Sequence, residues 1–422
     1  MPEYVFLFAA LAGFLLGVCS GLVPGLHTNN FAALLFALSP ALLSLGFEPL
    51  HLAIAILAAS VSHTFLDIVP SVFIGAPDAD TALAVLPGHN MMLEGRGIEA
   101  IRLSALGSAS SVLVALILIY PLSLLFGRFY DQFMENMGLI LLAIVALMIL
   151  SEKGRFVEGQ GSLVTLKYKF MALVLFLTSG FLGLFAFEHQ DLATSPLGFE
   201  PEVLLPLFSG LFGASVLVIS LVTSAEVPPQ RETEFELSGK DATKSALLGG
   251  FAGSIVAWIP GVTPAVATVV ARLGTQGSEE EFLVSVSGVN TANALFALVA
   301  LQVVGRPRSG AAAAIDELVE IDQSLLLVMV TVVLATALLS YLATIQAGKF
   351  AARLVRRVNY RLLCGSVLVF LVGMTFVFTG IFGLFLFFLA TIIGLIAPLA
   401  GVRKTHAMGV LMLPLLIRYL LI

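Results

Sequence analysis

Apolar stretches of membrane-spanning length alternate with short polar stretches along the whole sequence. About fourteen apolar segments can be distinguished, and most of them approach or exceed the roughly 18 residues that cross a bilayer as a helix. The strict alternation of apolar and polar positions that is typical of membrane β-strands is absent, so we predict helices. The predicted segments lie at 4–23, 28–46, 49–75, 99–126, 137–151, 170–187, 202–223, 244–260, 264–274, 282–304, 323–345, 362–379, 381–400 and 406–422.

The shortest segment, 264–274, cannot cross a hydrocarbon core about 30 Å thick at a rise of about 1.5 Å per residue. We expect it to be a half-helix or one arm of a re-entrant hairpin. The polar stretches 152–169 and 346–361 are rich in Lys and Arg, which predicts that they face the cytoplasm. The stretch 226–243 is predicted to be a polar cytoplasmic linker, and the loop 188–200, which has no Lys or Arg, is expected outside.

The composition supports the same fold class, an all-α polytopic protein that passes through the cell membrane many times. Hydrophobic residues make up 59% of the chain and charged residues only 11%, against about 25% charged residues in soluble domains. The net charge of −6 and the absence of a basic block argue against nucleic acid binding. Cys19 and Cys364 lie in apolar stretches, which predicts packing rather than metal binding. No basic region precedes the first segment, which favours a membrane segment over a cleaved signal peptide.

An ordered series of glycines and prolines occurs twice and predicts an internal repeat. In both copies a glycine pair precedes a Pro-Gly dipeptide at the same spacing, and a Gly-x-Pro element follows. The glycine series are Gly13-x3-Gly17-x6-Pro24-Gly25 and Gly249-x3-Gly253-x6-Pro260-Gly261, and the Gly-x-Pro elements are Gly75-Ala76-Pro77 and Gly305-Arg306-Pro307. About seven segments per half is an odd number, which predicts two inverted repeats. These repeats would cover 1–225 and 244–422.

Each Pro-Gly dipeptide predicts a broken helix, because proline removes a backbone donor and glycine permits unusual dihedral angles. The freed backbone groups need protein, water or ligand as partners, since lipid offers none. Thr263 followed by Pro264 predicts a helix start, and His27 or Thr28 is expected to cap the matching helix. Helix N-termini suit carboxylate and phosphate, so the two breaks predict an anion site near the membrane midplane. A simple kink or a tight turn outside the membrane is the alternative.

Ionisable and amide side chains inside the predicted segments are further candidates for function. His63 and Asp67 are four residues apart, so a helix places them on one face, where they could relay a proton or help to hold Na⁺. The matching segment of the second half carries Asn290, Thr291 and Asn293, neutral groups that can bind a substrate or a cation. Buried structural pairs and hydrogen bonds between helices are the alternatives for both sets.

The sequence motifs resemble those of one known family. They are the twofold Pro-Gly after a glycine-rich helix, Gly75-Ala76-Pro77 leading to Pro87-Gly88-His89-Asn90-Met91-x3-Gly95, and Val289-Asn290-Thr291-Ala292-Asn293-Ala294 with Gly305-Arg306-Pro307-Arg308. The chain resembles, over nearly its whole length, the large membrane subunit (TctA-type permease) family of tripartite tricarboxylate transporters. It departs from the family pattern where Pro-Gly-His-Asn replaces Asp-Gly-Tyr-Pro and where Arg308 replaces a glycine. The stretch 401–409 resembles a compact archaeal-type branch.

The resemblance implies a permease that works with a small membrane subunit and an extracytoplasmic binding protein. Together with the motifs it predicts a secondary active transporter of a small organic anion, a di- or tricarboxylate, that is coupled to Na⁺ or H⁺ and works by alternating access. We expect no other cofactor and no metal site. The sequence leaves open whether the chain forms a homodimer. The coupling residues are expected to be His63 and Asp67. The expected binding residues are Pro24, Gly25, His27, Thr28, Asn29, Pro260, Gly261, Thr263, Asn290 and Asn293.

Three other functions compete with this prediction. A carrier for a phosphorylated lipid could use the same helix ends to bind phosphate, and it would need an apolar groove that leads to the site. An intramembrane enzyme could use His63 and Asp67 as acid and base, but the sequence has no nucleophile elbow, zinc-protease motif, P-loop or dinucleotide motif, so we do not expect an enzyme. A scaffold or receptor would not need broken helices at matched positions in both halves.

Overall fold

The computed structural model describes residues 4–24, 28–75, 85–154, 162–198, 201, 203–223, 228–232, 235–259, 262–272 and 277–421. Throughout these ranges the chain forms helices, turns and loops, without a β-strand. The all-helical fold class predicted from the sequence is therefore confirmed. Seven of the described helical spans are long and apolar enough to cross a membrane, and three further apolar helices are shorter.

The N-terminal part of the chain, up to residue 223, contains eleven described helices, of which five have fewer than ten residues. A π-helical turn, Ser209–Ala214, joins the last two of them. The helices are α1 (Tyr4–Gly21), α2 (Thr28–Ala37), α3 (Ser39–Ser44), α4 (Pro49–Leu66), α5 (Ile68–Ile74), α6 (Val85–Leu93), α7 (Gly97–Glu135), α8 (Met137–Leu150), α9 (Ser162–Glu188), α10 (Leu204–Phe208) and α11 (Ser215–Thr223).

The C-terminal part of the chain contains seven described helices and a 3₁₀ turn, Lys404–Met408. The helices are α12 (Gly239–Val256), α13 (Pro264–Ala271), α14 (Glu279–Val304), α15 (Gly310–Asp316), α16 (Gln323–Val355), α17 (Tyr360–Ala400) and α18 (Gly409–Leu421). Helix α17 is broken at Gly380, whose φ of 65° and ψ of −152° are not helical. The break falls between the segments 362–379 and 381–400 that the hydrophobic pattern predicts.

The two glycine series form the same kind of helix contact in the two parts of the chain. A Cβ atom at Gly13 or Gly17 would overlap the backbone of α4 at Ala55 or Ala59. A Cβ atom at Gly249 or Gly253 would overlap the backbone of α14, at Ser285 or Val289. Small residues let membrane helices approach closely, so α1 packs on α4 and α12 packs on α14 through glycine. Each glycine pair is thus required by packing.

The first glycine of each Gly-x-Pro element ends a helix. Gly75 ends α5 with a φ of 75°, and Gly305 ends α14 with a φ of 64°. Both glycines adopt the left-handed conformation that closes a helix and that other residues adopt with strain. Helices α5 and α14 therefore end in the same way, at a left-handed glycine.

Helices α4 and α14 lie at the centre of the bundle. The span Pro49–Ile74 covers α4 and α5, and 94% of its apolar 18-residue stretch is buried. In Glu279–Val304 the buried share of the corresponding stretch is 83%. In Gly97–Glu135 it is only 28%, as expected for a helix that faces lipid. Polar side chains on α4 and α14 are consequently enclosed by protein, which makes these two helices the natural place for a site.

Candidate functional site

A small cavity lies between α2, α4, α14 and α15, and we call it the central cavity. Its volume is about 40 Å³, more than the roughly 10–15 Å³ that one water molecule requires. Apolar side chains of α4, α14 and α15 form much of its wall. Its polar lining comes from Thr28, Asn29, Ser60, Thr64, Asn290, Asn293 and Ser309. Helices of the N-terminal and of the C-terminal part of the chain thus contribute polar groups to one cavity.

The first turn of α2 brings two of the predicted residues into this cavity. Asn29 accepts a hydrogen bond of 2.8 Å from the backbone N–H of Gly310, at the start of α15. The side chain of Ser309 caps α15 by accepting a bond from the N–H of Ala312. The hydroxyl of Thr28 is buried and has no hydrogen-bond partner within the described part of the chain. A buried hydroxyl without a partner is available to a ligand or to water.

A hydrogen bond connects one predicted binding residue to one predicted coupling residue. The side-chain amide of Asn290 donates to a carboxylate oxygen of Asp67 across 3.0 Å, and both residues are 2% exposed. The N–H of Asp67 bonds the carbonyl of His63, as the predicted helical spacing requires. The His63 side chain contacts a different helix, since its Nδ1 lies 2.9 Å from the hydroxyl of Ser20 on α1. The two coupling candidates therefore link α4 to two different neighbours.

Thr263 is the N-cap of α13, as the sequence predicts. Its hydroxyl accepts a bond of 3.4 Å from the N–H of Val266, and Pro264 occupies the first turn. The same hydroxyl lies 3.9 Å from the sulfur of Met408, the last residue of the 3₁₀ turn. Helix α13 has only eight residues, so it is the short segment that the hydrophobic pattern predicts.

The predicted residues are thus only partly brought together. Thr28, Asn29, Asn290 and Asn293 line the central cavity, whereas the hydroxyl of Thr263 contacts Met408. Pro24 follows α1 in a turn. Four further predicted binding residues lie outside the described ranges, namely Gly25, His27, Pro260 and Gly261.

Several cavity residues were not singled out as binding residues from the sequence. Ser60 and Thr64 lie on the face of α4 that lines the cavity, and the Thr64 hydroxyl is 3.3 Å from that of Thr291. Ser309 and Gly310 form the start of α15. The signal for Ser309 was its place before a run of small helix-forming residues, which is typical of an N-cap. The position of Ser309 opposite α2 could not be predicted, because it depends on the contact between Asn29 and Gly310, which are 281 positions apart in the sequence.

A cationic side chain stands next to the start of α15. The guanidinium of Arg308 lies over the ring of Tyr130, 5.3 Å from its centre. Burial lowers the pKa of Arg308 from its ordinary value, although an arginine stays charged in any protein environment. One of its terminal nitrogens is buried and has no hydrogen-bond partner among the described residues. The guanidinium therefore packs against α7, whereas the neighbouring Ser309 lines the central cavity.

A second polar region, which we call the ionic centre, consists of the buried Glu152 and His406 and the half-buried Arg403. One carboxylate oxygen of Glu152 lies 2.7 Å from Nε2 of His406 and accepts a bond of 3.1 Å from the guanidinium of Arg403. Burial by itself raises the pKa of Glu152, but the hydrogen bond with His406 and the charge of Arg403 outweigh it and hold the pKa well below its usual range. The carboxylate is therefore ionised at neutral pH.

Lys404, beside the ionic centre, binds the π-helical turn. Its ammonium donates to the carbonyl of Phe212 across 3.0 Å and to the hydroxyl of Ser215 across 2.7 Å. A π-helical turn interrupts the regular i to i+4 hydrogen bonding, and such turns are frequent at functional sites. Sequence reasoning did not identify this region, although four consecutive polar residues, 403–406, between two apolar segments were a visible signal.

A model of the tripartite tricarboxylate transporter TctA family matches residues 7–409. The chain is 26% identical, over 97% of its length and 98% of the relative's, to the uncharacterized protein MJ1079 of Methanocaldococcus jannaschii. No solved structure matches it. Because the family model covers almost the whole chain, this multi-pass membrane protein belongs to the tripartite tricarboxylate transporter TctA family.

Proposed function

We propose that this protein is a secondary active transporter of a small organic anion, a di- or tricarboxylate, and that the central cavity is part of its binding site. The main support is that one cavity, between α2 and α4 on one side and α14 and α15 on the other, is lined by Thr28, Asn29, Asn290 and Asn293. Membership of the TctA family supports a transport function. Binding sites of secondary transporters lie at such repeat interfaces near the membrane midplane.

The chemistry of the cavity favours an anion with several oxygen atoms. Helix α2 begins at Thr28, so its first backbone N–H groups and the positive end of its dipole face this region. The amides of Asn290 and Asn293 and the Thr28 hydroxyl can donate to carboxylate oxygens. On the sequence pattern alone, Thr263 and the two Pro-Gly dipeptides are proposed as further binding residues.

Coupling to Na⁺ or H⁺ is assigned to His63 and Asp67. Asp67 is buried and shares a hydrogen bond with Asn290, so any change at its carboxylate, by protonation or by a bound cation, changes a group that lines the cavity. An ionisable side chain inside a membrane bundle is costly and is typical of ion pathways. The hydrogen bond thus offers a direct physical link between ion and substrate.

Two inverted repeats, over 1–225 and 244–422 with the linker 226–243 between them, are proposed to supply the alternating access. The matched contacts of α1 with α4 and of α12 with α14 support a repeated unit. So do the matched left-handed glycines at 75 and 305. In this proposal about fourteen segments form the two units, and rocking of one unit against the other opens the site to each side.

The family description names a tripartite transporter. We propose accordingly that this chain is the large membrane subunit in the cell membrane, and that a small membrane subunit and an extracytoplasmic binding protein deliver the anion to it. No catalytic role is proposed for any residue.

Uptake of labelled citrate and succinate into proteoliposomes containing this chain tests the proposal. We expect uptake that depends on a Na⁺ or a pH gradient, and the effective gradient identifies the coupling ion.

Asn290→Ala should lower uptake at least about 10-fold, because it removes an amide that binds both the anion and Asp67. Asp67→Asn should leave anion binding measurable but abolish the effect of the gradient.

Asn136→Ala is the matched control, because Asn136 is exposed and its amide donates only to a carbonyl of its own helix turn. It should transport as the wild type does. Equal uptake by the Asn290 and Asn136 variants would remove the central cavity from the proposed site. Uptake that ignores both gradients in the wild type would contradict secondary active transport.

A further inference from the structure

An apolar groove opens on the side of the helix bundle, away from the central cavity. It lies between the end of α1, helix α5, the last three turns of α16 and the start of α17, and its volume is about 440 Å³. This volume falls within the roughly 300–1,000 Å³ that is typical of small-molecule sites. Its lining is apolar except for Gln346, and it includes Leu22, Phe73, Ala347, Ala351 and Leu354.

The groove has the shape of a channel for a chain-like apolar ligand. Ala347 and Ala351 are one helical turn apart on α16, and Phe350 and Leu354 line the groove beside them. Phe350 is 65% exposed and Leu354 is 50% exposed, so this wall is open to the surroundings. The predicted membrane segment of α16 ends at 345 and the stretch 346–361 is predicted to face the cytoplasm, so this wall lies at the membrane surface, where acyl chains meet headgroups.

A basic rim borders the groove where α16 ends. It consists of Arg353, Arg356 and Arg357, which are exposed and which are direct sequence neighbours of the groove residues Leu354, Val355 and Val358.

Other cations nearby already have partners within the protein. Lys349 forms an ion pair of 3.0 Å with Glu232, and Arg361 donates to the carbonyl of Leu221. The three arginines of the basic rim form no ion pair with any described residue. Within the described part of the chain, three guanidinium groups thus remain available to an external anion.

We infer that the groove binds an anionic phospholipid, with an acyl chain between α5 and α16 and its phosphate at the basic rim. Charge complementarity selects this occupant. A guanidinium group binds phosphate through paired hydrogen bonds, and basic residues between membrane helices at the membrane surface bind anionic headgroups. An apolar helix of another protein would fill the groove without using the three arginines.

The bound lipid would contact a segment next to a candidate coupling residue. Val69, Pro70 and Phe73 of α5 line the groove, and α5 directly follows Asp67. A ligand that binds only the folded protein raises its stability by mass action. Lipid in the groove should therefore stabilise the packing of α5 on α16.

Native mass spectrometry of the full chain, delipidated in nonionic detergent, tests the inference. The probes are phosphatidylglycerol and phosphatidylcholine with identical acyl chains. We expect the wild type to retain one phosphatidylglycerol in preference to phosphatidylcholine. The double variant Arg356→Gln with Arg357→Gln should lower this preference about 30-fold, since each basic residue near an anionic lipid surface contributes about a factor of five.

The double variant Lys167→Gln with Lys169→Gln is the matched control, because it removes two cations from α9, which does not line the groove. It should keep the wild-type preference. Ala351→Trp fills the groove without changing the charge and should abolish retention of either lipid. The inference is overturned if the arginine variant keeps the preference, if Ala351→Trp retains the lipid, or if a membrane polypeptide rather than lipid occupies the groove.

Discussion

The central cavity and the ionic centre are both buried and polar, but they contain different chemistry. The cavity is lined by amides and hydroxyls, and the Thr28 hydroxyl has no hydrogen-bond partner among the described residues. In the ionic centre the Glu152 carboxylate binds Arg403 and His406 directly. The cavity therefore has polar capacity left for a ligand, whereas the ionic centre uses its charges inside the protein.

This difference follows from what each region has to do. A transport site must exchange its partners in every cycle, so neutral groups that bind and release at low cost suit it. A buried charge is stable only while its partners stay in place. Removal of one partner leaves an unpaired charge in a low-dielectric interior, which costs about 3–5 kcal/mol. The ionic centre instead holds the residues after α8 against those before α18.

The largest expected effect comes from removing the charge of the ionic centre. Glu152→Gln removes the carboxylate charge that pairs with Arg403, and we expect it to lower the free energy of unfolding by about 1–3 kcal/mol, because Arg403 is 34% exposed and keeps its hydrogen bond to Ser151. Thermal unfolding of the purified protein in detergent measures the change. Uptake per folded molecule should stay within about twofold of the wild type, a difference of less than about 0.5 kcal/mol.

Glu232→Gln provides the matched control for this substitution. Glu232 pairs with Lys349 but is 59% exposed, and an exposed ion pair contributes only about 0–1 kcal/mol. The two variants make the same chemical change in a buried and in an exposed pair. If both unfold at the wild-type temperature, the ionic centre does not stabilise the fold.

The opposite result is expected from the central cavity. Thr28→Val removes a hydroxyl that has no partner in the described structure, so the stability should be unchanged. If this hydroxyl binds the anion, KM for uptake should rise about 10-fold, which corresponds to about 1.4 kcal/mol. Concentration-dependent uptake into proteoliposomes measures KM.

Thr331→Val is the corresponding control, because Thr331 is exposed and its hydroxyl bonds only a carbonyl of its own helix. It should leave KM unchanged. A loss of stability in Thr28→Val with normal KM would assign Thr28 to packing rather than to binding.

Features that depend on local sequence could be predicted. The break at Gly380 and the short helix α13 follow from the hydrophobic pattern and from Thr263-Pro264. Helix ends were less predictable. The apolar segment 99–126 ends before Arg128, yet α7 continues to Glu135, because a helix does not have to end where its apolar face ends.

Features that depend on distant contacts could not be predicted. The sequence identifies Asn290 and Asp67 separately, but their hydrogen bond joins positions 223 residues apart. Glu152 and Arg403 are 251 residues apart, and neither belongs to a recognisable motif. The sequence therefore predicts which polar groups enter the membrane more reliably than which of them meet.

The smallest expected effect is a difference in pH dependence between the two regions. The pKa of Glu152 in the folded protein lies below its ordinary value near 4.5. A group of this kind contributes its full stability above its unfolded pKa and loses it as the pH falls through the folded pKa. The difference in unfolding temperature between wild type and Glu152→Gln should therefore be smaller at pH 4 than at pH 6. Thr28→Val should show no such change, since amides and hydroxyls do not titrate in this range. If the difference in unfolding temperature between wild type and Glu152→Gln does not change with pH, the ionic centre is stabilised by its shape and not by its charge.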